Sequence, residues 1–166
     1  MNTAAIAAAH RTLVLEGCDG AGKSTLATRL AREHGFTVIH CPRTPDAVNL
    51  LQRYQDLLAR PGRLVLDRCF LSELAYGPLY RGGSRITWDE ARTLAKIVTN
   101  RDGVFLHLTA SAETIRARLL RRDSEAPPLE EIAVLLEAYQ TVFTTLRESV
   151  PAITFDATAE GPPSTE

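Results

Sequence analysis

One ten-residue stretch, Glu16–Thr25, constrains this chain more than any other: it reads EGCDGAGKST. Within it Gly17 to Ser24 fit G-x-x-x-x-G-K-[ST] at every fixed position. A turn this rich in glycine lets consecutive backbone N–H groups face inward and form a nest for an anion. A helix starting at Lys23 would bring the positive end of its dipole to the same point. Lys23 can then reach the β- and γ-phosphates of a nucleotide, and the Ser24 hydroxyl can hold Mg²⁺. The candidate cradle is Gly17, Asp19, Gly20, Ala21, Gly22, Lys23, Ser24 and Thr25. A chance glycine turn between two elements is the competing reading, and context speaks against it. Thr12–Glu16 before the loop is a short, mostly apolar, β-leaning run, and Leu26, Ala27, Leu30 and Ala31 after it recur at helical spacing until Gly35.

Four more apolar runs read as strands: Phe36–His40, Arg63–Asp67, Val104–Leu108 and Pro151–Asp156. Helical patterns alternate with them. Asp46–Ala59 reads as one helix, with Val48, Leu51, Leu57 and Leu58 among its buried candidates. Ser72 can cap the next, which Gly77-Pro78 should disturb or end. Thr87-Trp88-Asp89-Glu90 is a capping-box pattern for a helix to about Thr99. Ser111 opens a helix to Arg122, and Leu129 to about Arg147 is the longest. Strands alternating with helices predict an α/β, single-domain fold with a five-stranded parallel sheet and helices on both faces. The carboxyl ends at Glu16, His40 and Asp67 should meet along one edge, where ligands of such sheets sit. Residues 1–10 are expected to form a loose arm, 11–156 the domain, and 157–166 a disordered tail.

Composition removes several function classes. The formal net charge is −1, which disfavours a nucleic-acid partner, although arginines can still cluster locally. No apolar run approaches the roughly 20 residues of a membrane span. Cys18, Cys41 and Cys69 show no CxxC pair and no metal-ligand spacing, and an odd count without a basic leader predicts a cytoplasmic protein.

A second motif follows the third strand: Asp67-Arg68-Cys69-Phe70-Leu71-Ser72-Glu73-Leu74-Ala75-Tyr76. Together with EGCDGAGKST it resembles the thymidylate kinase family of P-loop nucleotide kinases. That family has an E-G-x-[DE]-x-A-G-K-[ST]-T loop and a D-R-x-x-x-S-x-x-A-[YF] segment. A short arginine-bearing lid after the fourth strand, here Arg116, Arg118, Arg121 and Arg122, is a third similarity. The resemblance covers Arg11 to Asp156 in order of elements. Two departures concern the base of the acceptor. Only Pro45–Gly62 lies between the second and third strands, enough for one helix where the family has two, and Pro42-Arg43-Thr44-Pro45 replaces its R-E-P-G-like turn.

The resemblance implies ATP and Mg²⁺ as cofactors, a small-molecule nucleotide or nucleoside acceptor, and transfer to a (deoxy)nucleoside monophosphate. Lys23, Asp67, Arg68, Asp19, Arg118 and Arg122 are the candidate catalytic residues, with Ser24 and Asp67 serving the metal. Asp67 is either that acid or the base taking a proton from a hydroxyl acceptor. Arg68 is read as a clamp on the acceptor phosphate, since a fork of N–H donors suits phosphate oxygens. Asp19 matches a family position near the acceptor sugar. Arg43 either binds the acceptor phosphate or is an exposed arginine. Phe70 and Tyr76 either stack on a base or fill the core. The cysteines read as apolar filler, and His40 and His107 as structural. The alternatives are a kinase of a nucleoside, of a modified base or of a polynucleotide, and a nucleotide-binding module without turnover. A homodimer is left open.

Overall fold

Strands β1 (Thr12–Glu16), β3 (Leu64–Asp67) and β4 (Gly103–Thr109) are buried along nearly their whole length, as a sheet covered on both faces requires. With β2 (Thr37–His40) and β5 (Ala152–Asp156) they form one parallel sheet in the order β2-β3-β1-β4-β5. The computed structural model describes residues 3–156. Seven helices accompany the five strands among the described residues: α1 (Thr3–Ala9), α2 (Lys23–His34), α3 (Leu50–Leu58), α4 (Leu71–Tyr80), α5 (Trp88–Asn100), α6 (Ala112–Asp123) and α7 (Leu129–Arg147). This is the predicted α/β single-domain fold. The register pairs Leu15 and His40 with Asp67, so the ends of β1, β2 and β3 lie side by side.

Local signals place most boundaries. Gly22, in a left-handed conformation (φ 96°), turns the glycine loop into α2, and Gly35 closes that helix. Thr87 and Glu90 form the expected capping box. Helix α7 buries Ile132, Leu135, Tyr139, Val142, Phe143 and Leu146 along one face and packs on α4 and α6.

Three expectations need correction. Residues 3–9 are not a loose arm. Their alanines favour helix, and α1 buries Ile6 and Ala7 and packs on α2. Arg29 reaches its first residue, Thr3, at 2.6 Å, and the Arg63 guanidinium caps its carboxyl end at Ala7 O. Helix α3 starts at Leu50, four residues later than predicted, because the Asn49 side chain caps Gln52 N at 2.9 Å. Arg85 gathers the carbonyls of Thr44, Pro45, Asp46 and Val48 ahead of it into a turn, which leaves Val48 exposed. Helix α4 is not ended by Gly77-Pro78 but runs on to Tyr80. Pro78 lies in its last turn and removes one backbone donor, while Gly77 O still accepts from Arg81 N and Gly83 N. The tail expected at residues 157–166 lies outside the described residues.

Candidate active site

The glycine loop joins the end of β1 to α2 and runs hard against β4. A Cβ on Gly17 would sit 2.2 Å from Leu108 O, so this position admits glycine alone. Lys23 is 7% exposed, and its Nζ donates to Gly17 O at 2.9 Å and Cys18 O at 2.8 Å, which draws the ammonium back over the loop. Asp19 Oδ1 is 3.9 Å from the same Nζ. Burial, reinforced by Arg68, lowers the pKa of Lys23. Ser24 and Thr25 are exposed at the start of the helix.

The parallel register brings β3 into this loop. Ser24 Oγ donates to Asp67 Oδ2 at 2.7 Å across 43 residues of sequence. The same oxygen is 3.0 Å from His40 Nδ1 at the end of β2, so His40 joins the site it was not assigned to. Its signal was positional: it ends a strand at the ligand-bearing edge.

Arg68 follows in a left-handed conformation (φ 69°), uncommon for a residue with a Cβ. The turn sends its guanidinium to the Asp19 carboxylate, with which it makes an ion pair, and places it 5.7 Å from the Tyr76 ring centre. The candidate acceptor residues Asp19, Arg68 and Tyr76 are therefore together.

Glu16 belongs to the site as well, though its motif position alone does not assign it a role. It is fully buried, and its Oε1 accepts from Cys69 N at 2.9 Å and Ser72 N at 3.2 Å. Phe70, the residue before α4, offers no side-chain cap, and Ser72 lies inside the helix. Glu16 thus caps α4 from β1 in place of the expected Ser72, and an acidic group suits a helix N-terminus. Burial pushes its carboxyl up from 4.5 to about 7, against the pull of Lys23 and Arg68.

A cleft of about 310 Å³ opens beside Asp19, between α4, α6 and α7. Tyr76, Ile115, Leu119 and Leu135 give it apolar walls, and Arg81 and Glu131 give it polar groups. Arg81 donates to Glu73 at 2.6 Å, and Tyr80 OH donates to Glu131 at 3.1 Å. Arg118 on α6 donates to Gly20 O at 3.2 Å and so lies over the loop, whereas Arg122 pairs with its neighbour Asp123 at 2.6 Å.

Phe70 does not face a ligand. It is fully buried, edge-on to Tyr54 and Phe105, because the Asp67–Arg68 turn drives it into the core. Arg43 is 62% exposed and pairs with Asp46 at 3.0 Å on the turn after β2. Burial pushes Cys18 up to about 11, Cys41 up to about 12 and Cys69 well above its ordinary value, so all three are neutral filler. His107 stacks on Phe143 at 4.4 Å, and burial pushes it down to about 4.

This sheet order, with a glycine loop between β1 and α2 and a serine of that loop on the acid ending β3, is a P-loop fold of the kind found in solved kinases. Solved structures agree. The chain is similar to the YorR protein from Bacillus subtilis, solved in complex with phosphorylated GDP, at 23% identity and TM-score 0.76, over 87% of this chain and 85% of that one. It is similar to deoxyadenosine kinase from M. mycoides with bound dCTP at 16% identity and TM-score 0.60, over 90% and 91% of the two chains. A gluconokinase from Sinorhizobium meliloti 1021 aligns at 19% identity and TM-score 0.55, over 92% of this chain and 85% of that one. At these identities the likeness shows the fold. No protein-family model matches the chain, and no curated protein matches it by sequence. The narrower resemblance to thymidylate kinases rests on the two motifs. Among the described residues, no helix is long and apolar enough to cross a membrane.

Proposed function

We propose that the protein is a P-loop kinase that moves the γ-phosphoryl group of ATP to a (deoxy)nucleoside monophosphate. The observation that carries this reading is the contact of Arg68 with Asp19 at the mouth of the cleft, one residue from the Ser24–Asp67 pair. A donor half (Lys23, Ser24, Asp67) and an acceptor half (Asp19, Arg68, Tyr76 and the cleft) share one edge of the sheet. A module that only bound nucleotide would need the first half alone.

Mg²⁺ fits the residues present. Ser24 Oγ and Asp67 Oδ2 converge at 2.7 Å, and hard oxygen donors suit this ion. Among the described residues no group of three His, Cys, Asp or Glu side chains could hold a metal alone, so phosphate oxygens would complete the shell. The ion would neutralise charge on the β- and γ-phosphates. Lys23 adds a cation on the loop side and Arg118 one on the lid side. Arg68 would exchange its bond to Asp19 for the acceptor phosphate, a bidentate partner for its N–H fork. Asp19, released, can accept from a sugar hydroxyl. Such transfer needs positioning and charge neutralisation more than covalent help. A monophosphate oxygen is already a nucleophile and needs no base.

The 3.0 Å contact of His40 with Asp67 favours a hydroxyl acceptor as the second reading, since a carboxylate-held imidazole suits proton removal. Three free, buried cysteines support a cytoplasmic location. The test is ATP turnover with Mg²⁺ across deoxynucleoside monophosphates, guanine nucleotides (prompted by the YorR complex), nucleosides and oligonucleotides. Transfer to a monophosphate is expected. Transfer only to a hydroxyl establishes the second reading, and ATP binding without transfer to any acceptor leaves the module.

A further inference from the structure

Glu16 is a buried acid that the proposed transfer does not use. Its Oε2 lies 3.1 Å from Ser72 Oγ, and that hydroxyl is also 2.8 Å from Cys69 O. The hydroxyl has one hydrogen for two oxygen neighbours. Cys69 O can only accept, and it makes the shorter contact. With the hydrogen given to Cys69 O, the 3.1 Å contact is a hydrogen bond only when the carboxyl supplies a proton. A neutral Glu16 then satisfies the whole cluster. Oε1 accepts from Cys69 N and Ser72 N, Oε2–H donates to Ser72 Oγ, and Ser72 donates to Cys69 O. An ionised Glu16 leaves Oε2 and Cys69 O competing for the hydroxyl hydrogen in a dry interior, with only a long 3.4 Å share of Ser72 N, already given to Oε1, to relieve Cys69 O, which is costly.

The groups around the carboxyl explain what its charge would do. Lys23 faces it from α2, Arg68 and Cys69 from the turn after β3, Cys41 and Tyr54 from the end of β2 and from α3, and Tyr139 from α7. Its strand neighbour on β4, His107, is neutral. Lys23 and Arg68 are the cations in this set, and both are assigned to phosphate.

We propose that Glu16 is a positioning residue that works as a neutral carboxylic acid, capping α4 and fixing the Asp67–Arg68 turn while leaving the charges of Lys23 and Arg68 to phosphate. This rests on the phosphate roles given to those two residues above. A carboxylate here would draw on both cations and repel a bound polyphosphate. Nucleotide therefore binds the protonated form better, and by linkage its binding at alkaline pH takes up a proton at Glu16.

Calorimetry of Mg·ATP binding in two buffers of different ionisation enthalpy measures that uptake. Wild type is expected to take up a fraction of a proton at pH 8, and Glu16→Gln, an uncharged near-isostere, to lack that share. The affinity ratio of variant to wild type should rise between pH 6 and 8.5, on the order of tenfold. A merely structural role would change both affinities without changing proton uptake. Equal uptake and parallel pH profiles in the two proteins overturn the proposal. Should wild type bind no nucleotide, the kinase reading fails, and the Glu16 proposal is judged on the ligand-free protein by the carbon-13 shift of its carboxyl. Titration near neutrality is expected, and titration near the ordinary value of about 4.3 overturns it. The same measurement decides the matter if Glu16→Gln does not fold.

Discussion

Replacing Glu16 with glutamine should change how stability depends on pH, and the size of the effect follows from the site. Burial raises the carboxyl from 4.5 to about 7, so the folded protein holds this proton more tightly than the unfolded chain does. For an acid raised in this way, the extra stability is fully present below about 4.5. It is lost as pH climbs through about 7, because the unfolded chain ionises first. At roughly 1.4 kcal/mol per tenfold in proton affinity, the loss is about 3 kcal/mol. For a chain of this size that corresponds to roughly 10 °C in Tm. Glutamine keeps the acceptor for Cys69 N and Ser72 N and can donate to Ser72 Oγ, but it has no proton to lose. The assay is denaturant unfolding of both proteins at pH 5 and pH 8, compared as a difference of differences, so that all other titrating groups cancel. Glu16→Gln should gain roughly 2–3 kcal/mol on wild type between the two pH values, since part of the loss has already occurred at pH 5. A stability difference that stays constant from pH 5 to pH 8 would refute the reasoning, because Glu16 would then titrate alike in the folded and unfolded chains and be ionised in both across that range.

Lys23→Ala should lower phosphoryl transfer by about 100-fold or more, since it removes charge at the transferring group, while the fold survives because the loop backbone is held by Gly17 and Gly22; near wild-type turnover in a folded variant would falsify the kinase reading. Arg68→Ala should raise the acceptor KM or lower kcat with little change in ATP affinity, and steady-state kinetics showing lost ATP binding with normal acceptor saturation would reassign it. Hydrogen exchange of residues 116–128 should slow when ATP and acceptor bind together, with Arg118 already on the loop at Gly20 O and Arg122 drawn in from Asp123. Strong, equal protection with and without ligands would make these arginines a fixed face.

What the sequence disclosed was whatever a short window contains. The glycine loop needs left-handed glycine a few residues apart, the capping box at Thr87–Glu90 closes within one turn, and the face of α7 repeats every three or four residues. Each is decided locally, so each is legible. The errors lie where a partner from far along the chain overrides the local signal. The alanines of residues 3–9 read as loose because their partners, Arg29 and Arg63, are donated from α2 and from the entry to β3. Phe70 stands in a motif that faces ligand, yet the left-handed turn at Arg68 rotates it inward.

Glu16 shows why such cases escape a reading of one window. Helix α4 begins at Leu71, Phe70 before it offers no side-chain cap, and the nearby serine invites the wrong assignment. The cap is a carboxyl group 53 residues earlier in the chain, supplied because parallel pairing sets Leu15 beside Asp67. The same pairing joins Ser24 to Asp67 and Arg68 to Asp19. Three contacts thus tie the phosphate loop to the Asp67–Arg68 turn, and all three depend on one register between β1 and β3. A slip of one residue would turn Asp67 to the other face of the sheet and break all of them at once. The site is therefore held by the pairing of two short strands, and their burial along nearly every residue is what fixes that pairing.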